Sequence, residues 1–598
     1  MALLRRNRKG VRKTTFRRNT MYKAEAAQAA APAPKSVAEA EPEVVNEPAP
    51  AAEAEAEPVA AAAESVPEAV SDAPVAETEP EPEAATETAP EAEAELTPYE
   101  GSAKEPEAET IGSSADSVFR FFREISAIPR GSHHTEQISD YLVAFAKKRS
   151  LSCIQDDTGN VIITKKASAG FEKADPIAMQ GHIDMVLASE PDKKIDMLKE
   201  PVTILTEGDW MFADGTTLGA DNGIAVAMML AVLDDDTICH PLLECIFTAD
   251  EEVGLIGANA IDLSGLKSRR LLNLDSEEEG VFCAGCAGGA EVVCEMPLKR
   301  KNREGNVLRV KIAGLSGGHS GSDIHLGGAN ANRLLARALY MVNKEVPFRL
   351  MSIGGGDADN AIPTNAEASI LVQSKDDLDL VSELFKKAGE VLAAEYKVTD
   401  PGMRWSIFRE EKTEKEETET GECISKKKTT ALLEYMLSLP TGVTQMSPVI
   451  KGMPQTSLNL GIVRTFEDHL LCELMVRSGI NSQTAFLSDR VVCITKGFGG
   501  TAAVRSSYPA WEFKKDSPFR ELAVSAYTEL TGKKPKVEVI HAGLECGILS
   551  GKLPDLDCVS AGPNLQNVHT VRERMSISSV RNVWEFVLAL LKKAAEEE

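Results

Sequence analysis

The sequence predicts an α/β fold, a mixed central sheet flanked by helices, and three observations carry that expectation. Short apolar runs of strand length recur and end in charged residues: IAM before Gln180-Gly181-His182, LLECIF before Thr248-Ala249-Asp250-Glu251-Glu252, and LLNL before Asp275. A longer apolar run, IAVAMMLAVL, begins after Gly223 and has the length of a helix. Charge collected at the C-terminal ends of strands faces the crevice in which open α/β sheets bind ligands.

The chain opens differently. Residues 1–23 hold nine Lys or Arg and no acid, whereas residues 24–110 hold 23 acids against two lysines in an Ala/Glu/Pro-rich run. That composition predicts a disordered extension over residues 1–110. The basic head suits an organellar targeting peptide but lacks the apolar core of a secretory signal, and Met21 offers a later start. The acidic tract reads as a tether or docking arm with no partner specified. Of the net charge of −27, residues 111–598 carry −15, an acidic balance that argues against nucleic acid as a partner. A hydrophobic content of 43% supports large cores, and no run is long enough to span a bilayer. The 11 cysteines are scattered, several of them inside apolar strands, which predicts reduced thiols and a cytoplasmic protein. Cys283 and Cys286 form a C-x-x-C with no second pair at zinc-ribbon spacing.

From about residue 115 the helix-like VFRFFREIS opens the folded part. In an extended GHIDMV, His182 and Asp184 share one face, so the carboxylate can take the far N–H of the imidazole and aim its other nitrogen at a metal. A hydrogen-bonded core histidine fits the same spacing. Gly219 and Gly223 bracket Asp221 and allow a sharp turn before the apolar helix, where Asp221 is either a helix cap or a ligand. Glu251 and Glu252 close their strand as a solvated loop or as a base beside a ligand, and Asp275 repeats the pattern. Val568-His569-Thr570 precedes a helix expected from near Ser576. Two histidines, two or three acids and a spare glutamate are a suitable inventory for two zinc ions sharing a carboxylate.

In this order GHIDMV, TTLGADNG, TADEEVG, LNLDSEEEG and VHT resemble the aminoacylase and carnosinase branch of the zinc-aminopeptidase-like metallopeptidases, nearest its Xaa-His dipeptidases. The resemblance covers the chain from about residue 115 to its end. It implies a zinc-aminopeptidase-like catalytic domain with an inserted α+β lid. It also implies two divalent metal ions, zinc by ligand preference, with manganese or cobalt suited to the same donors. His182 and Asp275 become terminal ligands of one metal, Glu252 and His569 of the other, and Asp221 the bridge. Glu251 becomes the general base, with Asp184 behind His182. A cis peptide is implied at Asp221-Asn222.

Further along, GLSGGHSG at residues 314–321 resembles the lid motif whose histidine, here His319, stabilises the oxyanion; His325 receives no role. Asn360, in DADNAIP, matches an asparagine that binds substrate or oxyanion. Arg477 matches the arginine that grips the substrate carboxylate, a bidentate task suited to guanidinium. HAGLECG resembles the Xaa-His branch in particular, with Glu545 expected either to read the substrate amine or to cap a helix.

The expected organisation is a catalytic domain at 111–295 and 500–598 around a lid at 296–499, because His569 can join Glu252 only if the middle of the chain loops out. The stretch EEKTEKEETETGECISKKK near 410–428 is expected to be a solvated loop. The expected activity is hydrolysis of unblocked dipeptides, with homodimerisation common among relatives. An N-acyl amino acid hydrolase, a desuccinylase, a tripeptidase or a non-catalytic binding protein on the same fold are the alternatives.

Overall fold

The computed structural model describes residues 43–44, 114–409 and 419–597. The expected disordered extension therefore lies outside the described residues, apart from Glu43–Val44, a two-residue strand paired with Arg404–Arg409.

The catalytic half is built on an eight-stranded sheet in the order Ser152–Gln155, Val161–Lys165, Leu243–Thr248, Ile177–His182, Arg270–Asn273, Asp557–Ser560, Val281–Cys286 and Lys536–Ile540. Leu243–Thr248, Ile177–His182, Arg270–Asn273 and Asp557–Ser560 run parallel, and antiparallel pairs join them at either side, so the sheet is mixed. Full burial of Ile177–His182 and Leu243–Thr248 on both faces explains why apolar residues predominate in them, interrupted by the buried polar Gln180, His182, Glu244 and Thr248.

Helix Ala220–Asp234 is apolar all round because it is enclosed all round, by the sheet on one side and by Asp116–Ser126 and the other helices of the large core on the other. Burial of each large side chain along it, such as Met228 or Leu230, contributes about 2 kcal/mol. Helix Ile577–Glu596 starts where expected, capped by Ser576 Oγ, which accepts from the Ser579 N–H. A second, smaller core on the opposite face collects Leu271, Cys286, Trp511, Cys546 and Cys558 around helix Glu545–Lys552. Cys283 and Cys286 are buried in a strand there, and all 11 cysteines are free.

The region expected to form the lid is an 11-stranded sheet of antiparallel pairs backed by helices Ala331–Glu345, Lys375–Glu395, Lys426–Ser438 and Asn481–Gly497. This sheet takes in Gly288–Pro297, which crosses the expected limit of 296, and Thr501–Tyr508, which follows the expected limit of 499; the two strands pair with each other. The sequence hides this boundary because Val281–Cys286 continues into Gly288–Pro297 with only Ala287 between them. The charged stretch also differs from expectation. Glu419–Cys423 is a strand on the equally polar Lys301–Gly305, and the helix Lys426–Ser438 follows at once; residues 410–418 lie outside the described residues. Backbone pairing between two polar strands needs no apolar pattern, so composition concealed it. Among the described residues, no helix is long and apolar enough to cross a membrane.

Candidate metal centre

Three neighbouring parallel strands deliver acids and a histidine to one edge. Ile177–His182 ends in His182, Leu243–Thr248 leads to Glu251 and Glu252, and Arg270–Asn273 leads to Asp275. Asp221 enters from the start of its helix, which is interrupted there: Asp221 has φ −78° and ψ 110°, and the Asp221-Asn222 peptide is cis. His569 arrives from the far end of the chain. Its loop is held by the strands Leu565–Gln566 and Arg574–Ser576, the latter paired with Trp210–Ala213.

The six side chains meet as three triads: His182, Asp221 and Asp275; Asp221, Glu252 and His569; and His182, Glu251 and Glu252. Within each, the ligand atoms lie within 4.8 Å of one another. Asp221 is common to the first two. Its Oδ1 is 3.1 Å from His182 Nε2, and its Oδ2 is 3.1 Å from His569 Nε2. Asp275 Oδ1 lies 3.6 Å from His182 Nε2, and Glu252 Oε1 lies 2.9 Å from His569 Nε2.

Asp184 is fully buried and serves both neighbouring strand ends. Oδ1 lies 3.4 Å from His182 Nδ1 and accepts the Glu251 N–H at 2.9 Å, while Oδ2 accepts from Ser132 Oγ at 2.8 Å. His182 Nδ1 also faces the Asp184 carbonyl at 3.2 Å, which leaves Nε2 for the centre.

The charge balance fits a metal. Five carboxylates, those of Asp221, Glu251, Glu252, Asp275 and Glu545, gather around two imidazoles in a largely buried space. Burial, then Asp275, Glu545 and Glu252, push Glu251 well above the usual carboxylate range against the pull of His182. Asp275 is raised by burial and by Asp221, Glu545 and Glu252. Burial opposes a charge on His182, yet Asp275, Asp184 and Asp221 outweigh it and raise its pKa. Glu252 Oε1 is buried without a hydrogen bond although His569 Nε2 is 2.9 Å away, an arrangement of two lone-pair donors facing a common point. Imidazole and carboxylate donors of this kind suit hard or borderline divalent ions.

A buried polar layer beneath the centre escaped the sequence reading. Gln180 Nε2 donates to Thr248 Oγ1 at 3.1 Å, and Gln180 Oε1 accepts from Asn273 Nδ2 at 2.7 Å, tying the three ligand-bearing strands side by side. Glu545 belongs to this layer. It is 0% exposed, and its Oε2 accepts from Gln180 Nε2 at 2.5 Å and Thr248 Oγ1 at 2.6 Å. Of the two expected roles for Glu545, reading a substrate amine or a structural one at a helix start, these contacts favour the structural one, and its Oε1 is buried without a hydrogen-bond partner. Burial pushes its carboxyl up to about 7.

The lid residues form a separate cluster. Arg477, on His469–Ser478, donates from Nη1 to Tyr508 OH at 2.8 Å, and its Nη2 faces His319 Nε2 at 3.2 Å. Burial and the Arg477 charge push His319 down to about 4, so it is neutral near pH 7. The Asn360 carbonyl accepts the Ser320 N–H at 2.8 Å, and the Asn360 side chain is exposed. His541 Nε2 lies 2.8 Å from Ser457 Oγ, joining the loop after Lys536–Ile540 in the catalytic half to Pro454–Thr465 in the lid. His325 is exposed and apart from these contacts.

A catalytic sheet with acids and histidines at one edge, closed by a late histidine across an inserted lid, is the plan of a metallopeptidase, and the chain belongs to peptidase family M20/M25/M40, whose model matches residues 178–593. It is similar to the cytosol non-specific dipeptidase of Escherichia coli (strain K12), with 35% identity over 482 residues, 80% of this chain and 98% of that one. The crystal structure of the aminoacylhistidine dipeptidase from Vibrio alginolyticus superposes with a TM-score of 0.71 at 33% identity, over 80% of this chain and 96% of that chain.

Proposed function

We propose that this chain is a dinuclear metal-dependent dipeptidase that hydrolyses unblocked dipeptides, Xaa-His among them. The observation that carries the reading is the division of Asp221, one oxygen directed to each histidine. His182 and Asp275 would hold one ion, Glu252 and His569 the other, and Asp221 both. Zinc is the ion preferred by this donor set, with manganese and cobalt as substitutes. When bound, such ions acidify water and polarise a carbonyl.

The chain's own residues do the rest. Glu251 takes a proton from the attacking water and returns it to the leaving amine. Asp184 fixes the orientation of His182. Neutral His319, with the Asn360 amide, donates hydrogen bonds to the developing oxyanion, and Arg477 holds the substrate carboxylate. Because Arg477 rests on His319 and Tyr508, substrate binding replaces one set of hydrogen bonds with another. Closure of the lid excludes bulk water. We assign the protein to the cytoplasm, in keeping with the name of the Escherichia coli relative. A panel of dipeptides including β-Ala-His, each compared with its N-acetylated form and read beside metal content, tests the function. Cleavage of the free forms with two metals per chain is expected; preferential cleavage of the blocked forms would turn the assignment to an N-acyl amino acid hydrolase.

A further inference from the structure

Two buried charged residues with no part in the scheme above grip the turn that carries Asp221. Glu573 lies 2% exposed on the His569 loop. Its Oε2 accepts the N–H groups of Leu218 and Gly219 at 2.8 and 2.9 Å, and its Oε1 accepts those of Ala220 and Asp221 at 2.8 and 3.2 Å. These are the donors that a helix start leaves unpaired, and the helix-capping residue Gly219 has no side chain to satisfy them. Burial, then the nearby Asp221, raise the carboxyl's pKa, while the N–H groups of Gly219, Asp221 and Leu218 pull it down. Each oxygen accepting two N–H groups is the geometry of the carboxylate.

Arg130, 1% exposed, holds the same turn from the other side. Its Nη2 donates to the Gly219 carbonyl at 2.5 Å, and its Nη1 donates to the carbonyls of Ile183 and Asp184, both at 3.2 Å. One guanidinium thus links the segment after His182 to the turn before Asp221. The two glycines of LGADNG make room for it. A Cβ on Gly219 would sit 2.6 Å from Nη2 and one on Gly223 would sit 2.5 Å from it, and Gly219 also has φ +71°.

We propose that Glu573 and Arg130 are positioning residues of the metal centre. They fix the turn at residues 218–221 so that the two oxygens of Asp221 address His182 and His569 together. Glu573 stands four residues from His569 on the same loop, so it ties the late ligand to the bridging one; Arg130 ties the bridging ligand to the His182 strand. Loss of either member loosens both metal positions, although neither touches a metal. The inference rests on the reading of Asp221 as the bridge.

The test is titration of metal-stripped protein with Co2+, followed by visible absorption, with elemental analysis of the protein as purified. Glu573→Gln presents amide hydrogens to N–H groups that need an acceptor, and Arg130→Lys cannot span three carbonyls. Each is expected to weaken both binding steps by roughly 10- to 100-fold, as loss of a residue behind a ligand typically does. Glu573→Asp keeps the charge and is expected to recover part of the affinity, and it stands in if the glutamine variant does not fold. Variants that melt earlier yet bind two Co2+ with wild-type affinity would make the brace a purely structural device and overturn the proposal. Asp221→Ala is the control. If it keeps wild-type metal binding, the ligand assignment fails and takes the brace with it, whereas loss of metal in Asp221→Ala with unchanged affinity in the brace variants sinks the brace alone.

Discussion

Replacing Glu251 by glutamine removes a proton acceptor while preserving size, and the structure says what else should change. The Glu251 N–H remains on Asp184 Oδ1 at 2.9 Å, so the strand end keeps its place. The triads formed by His182, Asp221 and Asp275 and by Asp221, Glu252 and His569 do not include it. A positioned general base contributes roughly 10²–10⁴ in rate. At about 1.4 kcal/mol per decade that is about 3–5 kcal/mol of transition-state stabilisation. Hydrolysis of a dipeptide followed by release of the free amine should show kcat lowered by roughly 10²–10⁴ with KM changed less than about threefold. Elemental analysis should show wild-type metal content. The neighbouring Glu252→Gln should instead lose metal, because its oxygen lies 2.9 Å from His569 Nε2, and excess metal should restore part of its activity. The third triad, which joins Glu251 to His182 and Glu252, is what the opposite assignment would use. Metal loss from Glu251→Gln, or turnover close to wild type, would refute the division of labour.

Arg477→Lys should raise KM by about 10-fold or more with a smaller effect on kcat, since one ammonium replaces a fork that also reaches Tyr508; steady-state kinetics with a free and a C-terminally amidated dipeptide checks this, and the amidated substrate should be indifferent. His541, held near pKa 4 by burial and by the Arg477 charge, is neutral when folded and charges on unfolding below its ordinary value of 6.5, so folding stability should fall as the pH drops from 6.5 toward 4 and stay level above. The loss is at most about 3 kcal/mol, and His541→Gln should flatten that limb in melting curves recorded at pH 5 and 7.

The legible part of the site was the part that strand ends expose. His182, Glu251, Glu252 and Asp275 each stand where an apolar run stops, Asp221 stands where one begins, and motif order joined them to His569. Glu573 was missed because it is the one acid between two arginines in a short charged run, VRER, where a solvated loop is the ordinary reading; its spacing of four from His569 was the available signal. Arg130 follows a proline in a stretch without periodicity, and only the three-dimensional path of the turn shows why Gly219 and Gly223 are small. Glu545 stood out in HAGLECG, yet exposure is a tertiary property, and the sequence offered no measure of it. The passage from one sheet to the other was not legible because Val281–Cys286 leads into Gly288–Pro297 with only Ala287 between them.

The strand Asp557–Ser560 lies in the interior of the catalytic sheet, between Arg270–Asn273 and Val281–Cys286, although the whole lid separates it from them in the chain. The sheet therefore remains split until the segment between Cys286 and Asp557 has been made, and His569 follows later still. Such long-range closure slows folding. It also means that a chain stopped before Asp557 would carry His182, Asp221, Glu251, Glu252 and Asp275 on a sheet that still lacks an interior strand.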